Sequence, residues 1–442
     1  MSTRGRLTIA VGVMLLGMPA VAWLLPSGAS NDPAAPAAPP PVPLPIPTVN
    51  SPPPIPEVPP ALLSAPLGRE AQEALVERAG WFEVSSRAPQ SRDVRVRYTL
   101  HPELTRSVWK VLESGRVALG HVAVMDANSG ALLAYASTDP EQFSPERAYP
   151  AASLVKVITA AAVLDQGKTP PACRYRGNPW RLKRSGLDPA RSGNEASLRR
   201  ALSTSNNQCF AQWGVHQLGA SVLLDAIDRF GVLMPAGYGH GAGRADEPGD
   251  DALALGKLAS GLAGLSITPL HAVQLAAILN KGRRVTPYWV EGAWMGDGGA
   301  LPVPATEGSQ QVLTPDLAKE LREMLVDTTT RGTARRAFRR RGRPLLKGVE
   351  VAGKTGSLNG SDPDGRYEWF IGVAPADAPR IAIATLAVQG PLYWMSGSQL
   401  AAEVLKAAFC PKGVCRVSAV DRFEERSSPK LAAESGGAAP SR

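Results

Sequence analysis

Three short motifs that could do chemistry occur in one order along the chain: Ser153-Leu154-Val155-Lys156, then Ser205-Asn206-Asn207, then Lys354-Thr355-Gly356. A serine hydroxyl is a weak nucleophile at neutral pH and needs a base within hydrogen-bond reach. Lys156 lies three positions after Ser153, and the apolar run Leu154 to Leu164 predicts a helix that puts both on one side. A lysine serves as base only if its pKa falls towards neutrality. Val155, Val157, Ile158 and Ala160 to Val163 offer the desolvation, and Lys354 a second positive charge. None of the five histidines, His101, His121, His216, His240 and His271, has a partner that sequence identifies, so a Ser-His-Asp triad is rejected.

Each motif is weak alone. Ser-x-x-Lys recurs at Ser107 to Lys110 and at Ser427 to Lys430, and Ser-x-Asn at Ser192 and Ser357. The first recurrence falls in an amphipathic helix, Glu103 to Leu112, with Trp109 and Leu112 inward and Lys110 in water. The second lies in a tail too poor in apolar residues to hold a site rigid. Ser205-Asn206-Asn207 opens an amphipathic helix followed by Phe210, Trp213, Val215 and Leu218; an N-cap role is compatible with Ser205 relaying a proton and Asn207 holding a substrate amide. Lys354-Thr355-Gly356 sits in a strand-like stretch, Val349 to Leu358, closed by the turn signal Asn359-Gly360. Gly356 permits close approach of a ligand, while Lys354 and Thr355 supply charge and hydroxyl for a carboxylate. Gly348 and Gly353-Lys354-Thr355 have the spacing of a phosphate loop, but strand inside the loop and a turn where a helix should run reject it.

With its context, this set resembles the transpeptidase domain of penicillin-binding proteins, most of all the membrane-anchored class B type. His121 to Ala136 is similar to the family's first β-hairpin; Ser266-Ile267-Thr268-Pro269-Leu270, the strands Tyr367 to Val373 and Arg380 to Val388, and a last helix Gln399 to Phe409 are further landmarks. The resemblance implies an α+β fold over residues 93–412: a five-stranded antiparallel sheet flanked by helices, plus an all-helical subdomain. It implies that Ser153 forms the acyl-enzyme, Lys156 takes its proton, Ser205 relays a proton, and Asn207, Lys354, Thr355, Gly356 and Ser357 bind substrate. The backbone N–H groups of Ser153 and Ser357 would form the oxyanion hole. The implied substrate is a peptidoglycan stem peptide ending in D-Ala-D-Ala, with β-lactams as inhibitors and no cofactor or metal. Water as acceptor makes a D,D-carboxypeptidase, fast deacylation a serine β-lactamase, and lost chemistry a cell-wall scaffold or β-lactam sensor.

The elements that must deliver this site fit a chain of 442 residues, 44% hydrophobic, which is long enough for one large or two ordinary domains. Leu7 to Leu25 is free of charge and preceded by Arg4 and Arg6, so residues 1–30 read as a membrane anchor or signal. The expected location is the bacterial cytoplasmic membrane, single-pass, with the catalytic domain outside the cytoplasm. Residues 31–68 read as a Pro-rich extended linker reaching about 100 Å at roughly 3.1 Å per residue, 69–92 as a connecting segment and 413–442 as a disordered tail. Cys173, Cys209, Cys410 and Cys415 form an even set in an exported domain, so disulfides are expected over metal ligands, as Cys173–Cys209 and Cys410–Cys415. The net charge of +9 gathers partly in Arg331 to Lys347, read as a solvated basic surface that could also meet a wall polymer, lipid phosphate or a cell-wall synthesis or division protein. Nucleic acid is not expected for an exported protein.

Overall fold

The computed structural model describes residues 58–78, 81–86, 94–167, 169–296, 298–304, 308–390 and 394–424. The expected anchor, most of the Pro-rich stretch and Ser427 to Lys430 lie outside them. Among the described residues no helix is long and apolar enough to cross a membrane.

The fold is α+β, built on a five-stranded antiparallel sheet ordered Ala352–Ser361, Asp364–Ala374, Ile381–Gln389, Leu119–Asp126, Leu132–Ser137. Its inner strands, such as Ile381–Gln389, read as continuous apolar runs because both faces are covered. Successive side chains point to opposite faces: Ala123, Met125, Ile371, Ala382 and Ala384 enter one core, Val122, Val124, Phe370, Ile381 and Ile383 the other. The helix Pro269–Lys281 packs on the first face, and Gly397–Phe409 with Pro102–Ser114 on the second. Thr268 caps the first of these through a reciprocal bond with His271, and Gly282 ends it in a left-handed conformation. A helical region forms beside the sheet, with Val155–Asp165 at its centre; Val155 through Val163 are all buried, as befits a helix that is apolar all round.

Three readings from sequence need correction. The Lys-Thr-Gly strand does not turn at Asn359-Gly360; it continues to Ser361 and reverses at Asp362-Pro363. Gly360 is there for contact, since a Cβ would stand 2.2 Å from the Tyr367 ring across the ladder. The end of the Pro-rich stretch is packed, with Val58 and Leu67 buried and the Leu62 and Leu63 carbonyls accepting from Tyr98 Oη (2.8 Å) and Trp289 Nε1 (2.9 Å). The connecting segment then contributes Val76–Arg78 and Trp81–Ser86 to a second sheet with Val94–Tyr98, Val290–Met295 and Ala300–Leu301. Finally, residues 413–424 of the supposed tail form short turns that bury Ala419, Val420 and Phe423, with the Phe423 ring 4.6 Å from that of His101. Three apolar residues in a polar stretch were enough to hold it.

Cys173 is bonded to Cys209 and Cys410 to Cys415. The first bond spans 36 residues, so replacing both cysteines by serine should cost about 3 to 4 kcal/mol through unfolded-chain entropy. Denaturant unfolding of the Cys173→Ser/Cys209→Ser variant checks this. A loss below about 1 kcal/mol would mean that the loop is already pinned by its other contacts.

Candidate active site

Ser153 sits in a short 3-10 turn, Ala152–Leu154, that runs straight into the helix Val155–Asp165. Ala152 holds a left-handed φ of 49°, a conformation costly for a residue with a Cβ and one that persists only where its surroundings impose it. Gly261 helps to impose it: a Cβ there would lie 2.0 Å from the Ala152 carbonyl oxygen, and its own φ is 72°.

Lys156 is fully buried. Its Nζ lies 2.8 Å from Ser153 Oγ, 2.7 Å from Asn207 Oδ1 and 2.5 Å from the Ser260 carbonyl oxygen. The last two atoms can only accept. A neutral amine has two N–H groups, so it satisfies both and keeps its lone pair for the Ser153 hydroxyl proton. Burial holds the Lys156 pKa well below the ordinary lysine value, and the charge of Lys354 pushes the same way.

The helix Leu198–Thr204 ends on Ser205, whose φ of 57° is left-handed, and the next helix, Asn207–Trp213, starts two residues later. The cap is Asn206, whose Oδ1 accepts from the Cys209 N–H at 3.1 Å. Ser205 and Asn207 are thereby left to the site. Asn207 bridges Lys156 and the Trp180 carbonyl, to which its Nδ2 donates at 2.6 Å.

Lys354 is as buried as Lys156, and burial lowers its pKa to about 7. Its Nζ donates to Ser205 Oγ (3.0 Å) and to the Thr355 carbonyl (2.7 Å). The expectation that Lys354 meets a substrate carboxylate therefore changes: its ammonium is closed off behind Ser205. The groups on the cleft wall are Thr355, Ser357, Thr333 and Arg336, with the Thr333 and Thr355 hydroxyls 2.6 Å apart. Gly356 rests against the turn that carries Ser153, where a Cβ would come to 3.3 Å of Ala151 O and Ala152 Cβ. Its strand is an edge of the sheet, so alternate N–H groups point away from the ladder and towards the site.

These residues line a cleft of about 730 Å³ that also takes in Trp180, Arg366 and Glu368. Sequence reasoning missed the Ser260 carbonyl, Trp180 and Thr333. The first is a backbone atom, invisible to side-chain motifs. Thr333 lies in the arginine-rich stretch, brought in because Gly332 packs where a Cβ would be 2.3 Å from Ser203 O. Ser107 is not part of any site; its hydroxyl donates to its own helix at Glu103 O, 2.9 Å away. The histidines lie elsewhere: His240 bonds Tyr135 Oη at 2.8 Å, His271 caps its helix, and His121 stacks on Phe143. Among the described residues no group of three or more His, Cys, Asp or Glu could hold a metal.

Removing the Lys354 charge gives a two-part expectation. A buried lysine with a lowered pKa binds fewer protons folded than unfolded, so it costs stability below pH 7, on the order of a few kcal/mol, and that cost fades as pH rises towards 10.5. The melting temperature of Lys354→Met relative to wild type should thus fall steadily from pH 6 to pH 10. Its acylation profile should move to higher pH, because Lys156 loses the neighbouring charge that lowers its pKa. A temperature difference that does not vary with pH would contradict the first part.

Residues 120–409 match the family described as penicillin binding protein transpeptidase domain. The peptidoglycan D,D-transpeptidase PbpA of Mycolicibacterium smegmatis is 27% identical over 354 residues, which take in 70% of this chain and 70% of the relative. Stage V sporulation protein D of Bacillus subtilis is 26% identical, matching 68% of this chain and 49% of its own. The crystal structure of PBPA from Mycobacterium tuberculosis superposes with a TM-score of 0.58 at 25% identity, covering 71% of this chain and 82% of that one. The motifs, the geometry that joins them and a match spanning most of the chain agree: this protein belongs to the penicillin-binding protein transpeptidase family.

Proposed function

We propose that the protein is a serine-type peptidoglycan D,D-transpeptidase that cross-links stem peptides through an acyl-enzyme on Ser153 and is inhibited by β-lactams through the same serine. The observation that carries this reading is the buried, charge-disfavoured Lys156, 2.8 Å from Ser153 Oγ, with its two other hydrogen-bonding positions already filled. Lys156 takes the Ser153 proton as Oγ attacks the carbonyl of the penultimate D-alanine. The backbone N–H groups of Ser153 and Ser357 hold the oxyanion, each worth roughly 3 to 4 kcal/mol of transition-state stabilisation. The C–N bond then breaks. Terminal D-alanine leaves with a proton from Ser205, which Lys354 replaces. In the second half an acceptor amine attacks the ester carbonyl and gives its proton to Ser205 and so to Lys354; the bond to Ser153 Oγ breaks, and the proton that Lys156 took returns to Ser153.

Two relatives support the reading by name, and solved structures of M. tuberculosis penicillin-binding protein A, 25% identical to this chain with a TM-score of 0.56, are described as the imipenem acyl-enzyme complex among others. The terminal carboxylate of the donor falls to Thr355, Thr333 and Arg336. Disulfides and the apolar Leu7 to Leu25 segment support an exported domain tethered to the cytoplasmic membrane. The test is covalent labelling by fluorescent penicillin followed by a chase. A label that persists for many minutes, with cross-linked product formed from stem-peptide substrate, is expected; label lost in seconds with the antibiotic hydrolysed would make the protein a β-lactamase instead.

A further inference from the structure

Beyond Arg336 the arginine-rich stretch takes no part in the chemistry. Arg339–Arg340 and Arg343–Pro344 form a two-stranded hairpin in which Arg340 stands directly opposite Arg343. Like charges opposed across a ladder are destabilising. The turn between them, Arg341-Gly342, has φ values of 50° and 79°, so an arginine occupies a position where asparagine, aspartate or glycine is usual. Arg339 holds that turn, its Nε and Nη2 donating to the Gly342 carbonyl at 3.1 and 2.6 Å. Phe338 and Leu346, on either side, are buried, which makes the hairpin a fixed projection.

Arg340, Arg341, Arg343, Pro344, Leu345 and Lys406 line an open hollow of about 560 Å³. Glu403 pairs with Arg340 at 2.5 Å and with Lys406 at 3.5 Å, but among the described residues Arg341 and Arg343 have no ion-pair partner. The hollow is therefore strongly positive, and guanidinium forks match phosphate oxygens. Beside it the surface turns apolar. Cys415 Sγ lies 4.0 Å from the Leu345 carbonyl oxygen, and the Cys410–Cys415 bond closes a loop carrying Val414, which is 62% exposed; Val417, 39% exposed, follows directly. A free phosphate or a phosphate polymer would use the cations alone. Exposed apolar side chains next to convergent arginines match a surface that is apolar beneath a layer of phosphates, which is a bilayer with anionic headgroups. Leu7 to Leu25, apolar and long enough to span a bilayer, would keep that surface within reach.

We propose that the hairpin 339–344 and the loop around Val414 form a docking face for anionic phospholipid. Headgroup phosphates enter the hollow between Arg341 and Arg343, while Val414 and Val417 dip into the acyl boundary. Docking adds no step to acyl transfer; it holds the domain against the membrane whichever reaction Ser153 performs.

The full chain reconstituted in vesicles tests this. All four cysteines are disulfide-bonded, so Ser418→Cys, on the exposed turn, takes a polarity-sensitive dye selectively. Quenching of the dye by lipids brominated on their acyl chains gives the ratio of docked to free domain. Each basic residue near an anionic surface is worth about fivefold in binding, so vesicles of about one-third phosphatidylglycerol should raise that ratio at least about tenfold over neutral phosphatidylcholine. Arg340→Gln/Arg341→Gln/Arg343→Gln should return it to the neutral-lipid value while melting stays cooperative, which shows that the variant folds. Val414→Ser/Val417→Ser should reduce quenching with every charge in place. Equal quenching in neutral and anionic vesicles, a response that survives the triple substitution, or one that the valine pair leaves unchanged would each overturn the docking face. So would its displacement by soluble polyphosphate at a small fraction of the lipid phosphate, which would make the hollow a site for a free phosphate polymer. Co-flotation with neutral vesicles reads the anchor separately; a protein that floats only with anionic vesicles would have the face without the anchor.

Discussion

Ser153→Ala is expected to lower covalent labelling by penicillin at least about 10⁴-fold, to the background of the assay, because it removes the attacking atom itself and losses of this size follow when an acyl-transfer nucleophile is removed. The fold should survive, since Ser153 Oγ contributes one hydrogen bond, to Lys156, and the turn around it is held by main-chain geometry and by Gly261. The melting temperature should therefore stay within a few degrees of wild type, an expected change of about 1 kcal/mol. Intact-protein mass after incubation with penicillin reads the outcome directly. A stable adduct on a folded Ser153→Ala protein would place the nucleophile elsewhere and remove the basis of the proposed function.

The second large effect concerns Lys156. Acylation needs its neutral amine, so the rate should rise with pH in proportion to the deprotonated fraction and level off above the Lys156 pKa. Burial first, and the charge on Lys354 second, set that pKa well below the ordinary lysine value, so the plateau should begin far below pH 10.5. Lys156→Arg keeps a cation of similar length but cannot give up its proton. It should lose about 10³-fold in acylation, at the level expected for loss of a positioned general base, and its residual rate should show no rise over the same pH range. A wild-type rate still climbing at pH 10 would mean that Lys156 is protonated at neutral pH and that another group takes the proton.

Much of this protein was legible before folding was considered. The order of Ser153-x-x-Lys156, Ser205-x-Asn207 and Lys354-Thr355-Gly356 named the chemistry, because a nucleophile and its base three residues apart on an apolar helix can hardly avoid meeting. The central sheet was equally plain, since a strand buried on both faces, such as Ile381–Gln389, reads as one apolar run. The weaker signals misled. Asn359-Gly360 has turn chemistry, yet Tyr367 packed against Gly360 keeps the strand going. The proline-dominated stretch reads as spacer throughout, yet Val58 and Leu67 bring its end into the core. Local composition sets preferences worth a kcal/mol or so, and burial of a few apolar side chains outweighs them.

The sequence by itself determined the family, through its three ordered motifs, and the helix that pairs Ser153 with Lys156, because both follow from residue types and local periodicity. Only the tertiary structure decided what those groups can do. It closed Lys354 behind Ser205, fully buried and donating to the Ser205 hydroxyl. It turned the Ser260 carbonyl towards Lys156, and carried Thr333 and Glu368 into one cleft with Ser153. Such contacts join residues a hundred or more positions apart. No local spacing encodes them, and the pKa values that make the chemistry run depend on the burial they create.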